Sequence, residues 1–413
     1  MMSLQRGTSL GEALKGYFAD DSVLSDVVSA FESPIEAGDA DIDRDLAEDI
    51  YKGDLSTSQS KVDTYIKCSF NYHCKYILGL EEKKTAVFKA NDIGTFVHAV
   101  FEMFISRIAT ENGINTDITD AEISSIISEI VSDYLRKVCN GIPESSPRFL
   151  SLIKRLQSTT ELLVHNIIAE FKQSDFVPRF FELPIKKDAE DGVDPYAIPL
   201  GDGSYIFMKG FADRVDTYKK GKDVYVRIVD YKTGTKTFSP NDIDRGLNLQ
   251  LLLYLFAVWN TKKDSFKEKI GCEGDIIPAG IIYFSAKAPN IDIKKEDEID
   301  SVYSNAVKKV RRMGLVLNDP DILEAMDKGI TGKYIPVRFV KKTNDYSAPE
   351  LLKTVEEFGA IERKIENILK SIAKNMKSGV VKAKPLEVNN PKESPCLYCK
   401  MKAICRRTEK GGE

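Results

Sequence analysis

The sequence has no run of about eighteen apolar residues, so a membrane-spanning helix is not expected from it. Its opening residues, Met1-Met2-Ser3-Leu4-Gln5-Arg6-Gly7, lack the apolar stretch of a secretory signal, and a cytoplasmic location is the expectation. There is no internal repeat. There is also no complete phosphate-binding loop: Gly234-Thr235-Lys236-Thr237 imitates the tail of one but lacks the correctly spaced glycine. An ATPase motor is thereby excluded from this chain.

What is present is a chain of 413 residues, 42% hydrophobic and 30% charged, enough for one large domain or two ordinary ones with an ample core. The net charge of −4 is unevenly spread, with a local net of −9 over residues 1–54 and of +7 over residues 361–413. Contact with phosphates depends on the local field rather than the sum, although two solvated ends would look the same. The seven cysteines, in a cytosolic setting, read as thiols or metal ligands rather than disulfides. Four form a pattern: Cys68 far upstream, then Cys396, Cys399 and Cys405. Cys74, Cys139 and Cys272 have no ligand spacing among themselves.

Residues 1–54 read as an acidic lead-in with weak helical signals over Leu10–Phe18 and Val23–Phe31, and with a loose run from Asp39 to Asp45. Ser56 to Ser60 can cap a helix through Val62, Tyr65 and Ile66 that brings Cys68 to a turn. Asp92 is placed to cap a helix whose Phe96, Val97, Val100, Phe101 and Phe104 recur at helical spacing. Residues 117–171 read as mostly helical. Then the period shifts toward two, and Phe180–Ile185, Tyr205–Tyr218, Val224–Tyr231 and Ala279–Phe284 read as strands. Between the last two lies a helix, Leu247 to Val258, apolar nearly all round and hence buried. Residues 348–378 read as a charged helix, followed by a Pro- and Lys-rich connector, Lys382 to Pro395.

The polar motifs beside these apolar stretches are Gly94-Thr95-Phe96-Val97-His98, Gly210-Phe211-Ala212-Asp213-Arg214-Val215-Asp216, Asp230-Tyr231-Lys232-Thr233-Gly234 and Gln250-Leu251-Leu252-Leu253-Tyr254. Asp230 and Lys232 leave one face of a strand, and a hairpin through Lys219 to Asp223 would set Asp213 beside Asp230. Adjacent carboxylates repel unless a cation lies between them, and hard oxygen ligands suit Mg²⁺ or Mn²⁺. The backbone carbonyl of Tyr231 can turn toward such a cation, and Lys232 can orient water or stabilise developing charge. His98 and Gly94 share a helix face. Gln250 and Tyr254 are two polar tips on a buried helix and need partners. Asp216 points away from Asp213 and should pair with Arg214. Taken singly, the acids and Lys232 could be an ordinary ion-pair ladder and His98 a core histidine.

The order G…H, GxxDRxD, DYKTG, QxxxY resembles the PD-(D/E)xK nuclease superfamily in its RecB-like branch. The resemblance implies a metal-dependent DNA nuclease with an α/β fold, a mixed central sheet flanked by helices. It makes His98, Asp213, Asp230 and the Tyr231 backbone metal ligands and Lys232 catalytic, with Gln250 and Tyr254 as the supporting pair. Glu182 matches a glutamate on the preceding strand. The arrangement C…CxxCxxxxxC resembles the [4Fe–4S] staple of AddB-type nucleases, which implies cluster ligation by Cys68, Cys396, Cys399 and Cys405. Serine follows Cys68 where the family commonly has proline, and Cys74, six residues on, competes with Cys68 for the fourth place, which the family match gives to Cys68. The resemblance divides the chain into the lead-in, 1–54, and a nuclease domain, 55–410, with a helical insert at about 113–175. It implies action on single-stranded DNA ends in double-strand break repair, beside an AddA-like helicase subunit. Two other readings stay open: a stand-alone nuclease of the CRISPR-adaptation type, and a DNA-end binding module without activity.

Overall fold

The computed structural model describes Gly16 and residues 41–81, 90–110, 113–138, 147–234, 238–287, 310, 312–388, 392 and 394–405. Leu10–Phe18 (Gly16 apart), Val23–Phe31, the 235–237 tail and Cys139 lie outside these residues. The chain forms two compact units: Arg44–Ile66 with Glu81–Gly379, and Met1–Asp43 with Lys67–Leu80 and Val380–Glu413. Among the described residues no helix is long and apolar enough to cross a membrane.

The larger unit is built around a mixed sheet. Its main elements are α1 (Gln59–Lys67), α2 (Ala90–Ile108), α3 (Asp120–Val138), α4 (Pro147–Gln173), β1 (Val177–Ile185), β2 (Gly210–Lys220), β3 (Asp223–Lys232), α5 (Gln250–Trp259), β4 (Ile276–Ser285), β5 (Arg312–Leu317), β6 (Leu352–Lys353) and α6 (Val355–Lys377). The sheet order is β6-β5-β4-β3-β2-β1 among the described residues. Strands β1, β2 and β3 form an antiparallel meander, whereas β3 and β4 run parallel. A parallel pair needs a long crossover, and the segment carrying α5 supplies it. The fold is thus α/β with a mixed central sheet flanked by helices, as the sequence implied.

The β2–β3 hairpin closes through Gly221, whose φ of +67° suits glycine. Its register, Arg214 opposite Val229, sets Asp213 across from Asp230. On the other side Phe181 faces Arg214 and Leu183 faces Ala212, so Glu182 falls across from Asp213. Three acids therefore stand in one row over three neighbouring strands. On the opposite face of the sheet, Phe101 of α2 packs edge-on against Tyr231 at 4.9 Å. In α5, every residue from Leu251 to Val258 is buried, which accounts for its all-round apolar sequence.

Several boundaries differ from the sequence reading. Tyr205–Tyr218 is two strands, because the chain changes sheets at Lys209: Tyr205–Met208 pairs with Leu55–Thr57 and Ala197–Pro199, and only β2 joins the central sheet. Asp92 lies inside α2, which starts at Ala90. The last long helix starts at Val355 rather than near 348, fixed by a reciprocal Thr354–Glu357 capping box. α5 begins at Gln250, three residues later than expected. The acidic run near 41 is helical from Arg44, with Ala47 fully buried. Strand β5 went unread because Arg312 opens it and Gly314 interrupts its apolar run.

Candidate active site

His98, Glu182 and Asp213 offer ligand atoms that all lie within 4.8 Å of one another. His98 Nδ1 is 3.3 Å from Asp213 Oδ2, and His98 Nε2 is 2.6 Å from the Tyr231 carbonyl oxygen. The Tyr231 backbone N–H donates to Asp213 Oδ2 at 2.9 Å. α2 comes close to the end of β3 at Gly94, where an added Cβ would sit 3.3 Å from Thr233 Oγ1. Asp230 is engaged differently: Lys232 Nζ lies 2.6 Å from its Oδ2, so the lysine holds this carboxylate. Among the described residues, the trio whose ligand atoms lie within 4.8 Å of one another thus includes Glu182 rather than Asp230. Glu182 has a φ of 47°, in the left-handed region, at a cost of about 1–2 kcal/mol. Strain of this kind concentrates at functional sites.

Gln250 Nε2 donates to the Tyr254 hydroxyl at 3.2 Å, so the two polar tips of α5 meet each other. Tyr254 in turn abuts Gly210, where a Cβ would lie 1.8 Å from the phenol oxygen. Both line a cleft shared with Asp213, Lys232 and Glu182, and a second cleft reaches His98, Glu182 and Lys232 from the α2 side.

Burial, with the neighbouring Asp230 charge, pushes the Asp213 carboxyl well above the usual carboxylate range. Burial and the charge of Glu102 raise Glu182 as well. Burial lowers His98, which keeps its imidazole neutral and its nitrogen lone pair available. Burial pushes Tyr254 up to about 12, so its hydroxyl stays a donor. Crowded carboxyls that resist ionisation beside a neutral imidazole and an inward carbonyl oxygen are relieved by a hard divalent cation. The donor set fits one.

The sequence pattern of the PD-(D/E)XK nuclease superfamily matches residues 56–406. The chain belongs to this superfamily. It is also similar to a subunit of the ATP-dependent helicase/deoxyribonuclease of Clostridium acetobutylicum, at 30% identity over 365 residues, or 88% of this chain and 31% of that protein. The same-named subunit of a Thermoanaerobacter species is 32% identical over 358 residues, 86% of this chain and 30% of the other. That of Ruminiclostridium cellulolyticum is 31% identical over 372 residues, 89% and 31% of the two chains. The chain therefore spans about 30% of the length of these relatives.

In the smaller unit, Cys68 sits at the start of the short helix Ser69–Tyr72, with the backbone amides of Phe70 and Asn71 toward its sulfur. Burial raises the Cys68 thiol, the amides lower it, and the nearby Cys405 and Cys399 raise it further. The pairing that draws Cys68 to the C-terminal segment is local to this unit: Phe70 N–H and Ser69 Oγ donate to the Lys382 carbonyl at 3.2 and 3.1 Å. Cys68, Cys399 and Cys405 thus share one neighbourhood though they come from both ends of the sequence, and soft thiols of this kind are the donors that iron–sulfur clusters use. Burial raises the Cys74 thiol, and Cys68, Cys405 and Cys399 raise it further, so a fourth sulfur stands in the same neighbourhood.

The sequence reading missed Glu102, one turn after His98 on α2 and lining the same cleft. The i, i+4 spacing was the available signal. It also missed most of a buried charge cluster on the other sheet face. Arg214 pairs with Asp216 at 2.8 Å, as expected, but Glu170 of α4 also receives Arg214, Arg227 and Arg312. Arg214 Nη1 donates to the Tyr231 hydroxyl at 3.2 Å, which ties the cluster to the residue whose carbonyl faces His98. A glutamate on the apolar stripe of Leu163, Ile167 and Phe171 was the clue.

Proposed function

We propose that this chain hydrolyses phosphodiester bonds of DNA in a reaction dependent on Mg²⁺ or Mn²⁺. The observation that carries the proposal is the row Glu182, Asp213, Asp230 across three strands, closed by His98 on one side and Lys232 on the other. His98, Asp213, Asp230 and the Tyr231 carbonyl would hold the cation, with Glu182 able to join or replace Asp230. When bound there, the cation supplies positive charge to a phosphate oxygen and makes nearby water more acidic. Lys232 orients the attacking water and stabilises charge on the phosphate oxygens, its ammonium being anchored by Asp230. Tyr254, kept as a neutral donor, and Gln250 steady the far wall of the cleft.

The similarity to helicase/deoxyribonuclease subunits supports a role on single-stranded DNA ends in double-strand break repair and recombination. It likewise supports an AddA-like helicase as partner and a cytoplasmic location. Cys68, Cys396, Cys399 and Cys405 are assigned a [4Fe–4S] cluster, which would join the two ends of the smaller unit. The experiment is cleavage of a labelled single-stranded oligonucleotide in Mg²⁺ or Mn²⁺. Asp230→Ala and Lys232→Ala should each lower the rate by about a hundredfold or more. Equal cleavage by either variant would remove this site from the chemistry.

A further inference from the structure

Phe211 lines a cleft whose other side chains, Tyr254 and Tyr283 apart, are mostly polar. The residue is 51% exposed, yet it lines the same cleft as Asp213, Lys232, Gln250 and Ser60. A single exposed phenylalanine is ordinary on a protein surface. This one is placed by the strand that carries the acid. Phe211 precedes Asp213 by two positions on β2, so both side chains leave the same face, about 7 Å apart along the strand. Lys209 precedes Phe211 by two more and also lines the cleft. The backbone beneath is held firmly. Phe211 pairs with Pro184 of β1, and Tyr254 fills the space over Gly210 so closely that no side chain fits there. The strand beneath the ring is thus held in place, with Lys209 and Asp213 two residues to either side of Phe211 and lining the same cleft.

We propose that Phe211 stacks on the nucleobase beside the scissile phosphate, with Lys209 meeting the next phosphate along the strand. Such a ring takes any base, because every base has a π-face, but it needs a base whose face is free. In duplex DNA both faces are covered by neighbouring pairs, so the arrangement selects single-stranded DNA. The inference rests on the nuclease reading above and adds the element that recognises the strand.

The test uses the full chain and a fluorescent single-stranded oligonucleotide, intact or with one abasic nucleotide moved stepwise past the cut site. Phe211→Ala and Phe211→Leu should raise KM about tenfold, within the range of one lost base–aromatic stack, while kcat and Mn²⁺ affinity stay near wild type. Phe211→Leu keeps the apolar bulk, so it separates stacking from folding, and Phe211→Trp should restore KM. For the wild type, an abasic nucleotide at one position beside the cut should reproduce the loss. In Phe211→Ala the same nucleotide should add nothing. An unchanged KM in both variants, or equal abasic effects in wild type and variant, overturns the proposal; either would follow if Phe211 instead packs on another part of a larger protein. If the wild type does not cleave at all, the nuclease reading fails instead. Anisotropy of the same oligonucleotide in Ca²⁺ then tests the stack separately, a like affinity for wild type and Phe211→Leu counting against it.

Discussion

Replacing Glu170 by glutamine should destabilise the protein severely although it changes no residue that lines the cleft. Glu170 is 1% exposed and receives three guanidiniums, those of Arg312, Arg214 and Arg227. With Asp216 as the other acid, this cluster already has one positive charge in excess, and Glu170→Gln leaves two. Burial alone would raise the Glu170 carboxyl, but the three arginines outweigh it and hold it at about 2, against an ordinary 4.5. That difference corresponds to about 3 kcal/mol, in line with about 3–5 kcal/mol for removing one partner of a buried ion pair. The control is Glu273→Gln, which breaks the Lys219–Glu273 pair of 2.9 Å whose side chains are 45% and 68% exposed. Solvent screening limits that loss to below about 1 kcal/mol. Urea unfolding at pH 7, followed by circular dichroism and by the fluorescence of Trp259, would measure both. The sign of the pH dependence follows from the depressed value: the Glu170 contribution is full above about 4.5 and is lost as pH falls through about 2. Wild type should therefore lose its advantage over Glu170→Gln across that window. The reasoning is refuted if Glu170→Gln costs no more than Glu273→Gln, or if the gap between wild type and variant does not narrow in acid.

Two further outcomes are expected. Gly210→Ala places a Cβ 1.8 Å from the Tyr254 hydroxyl, so Tyr254 must leave its position and Gln250 loses its partner. Cleavage of single-stranded DNA should fall by up to about a hundredfold, and Tyr254→Ala in the same chain should recover part of the loss; wild-type rates in Gly210→Ala would show that Tyr254 does not need this position. Cys68→Ala should remove most of the iron from anaerobically purified protein, whereas Cys74→Ala should keep it, as read by iron content and visible absorbance. Stoichiometric zinc in the wild type would reject the cluster but leave four converging thiolates.

Local periodicity was enough to read much of the site from the residues alone. A period of two decides that Asp230 and Lys232 share a face while Tyr231 turns to the other, and the structure places the Tyr231 ring on Phe101 and Arg214. A period of 3.6 puts Gly94 with His98, and Gln250 with Tyr254, on common helix faces. The motif order then named the superfamily, because each motif is short and carries its own residues. Long-range register is another matter, since nothing local states which residue of one strand will face which residue of another. That Glu182 lies across from Asp213, in a left-handed conformation, and groups with His98 and Asp213 was settled by the β1–β2 register. The cluster of Glu170 with Arg227 and Arg312 draws on α4, β3 and β5. Each of these charges looks anomalous in its own apolar segment and becomes reasonable only when the others are brought against it. The thiols show the same limit: spacing made Cys74 a competitor of Cys68 for a place beside the C-terminal cysteines, and the folded smaller unit brings both near Cys399 and Cys405, through backbone pairing at Lys382 rather than distance along the chain.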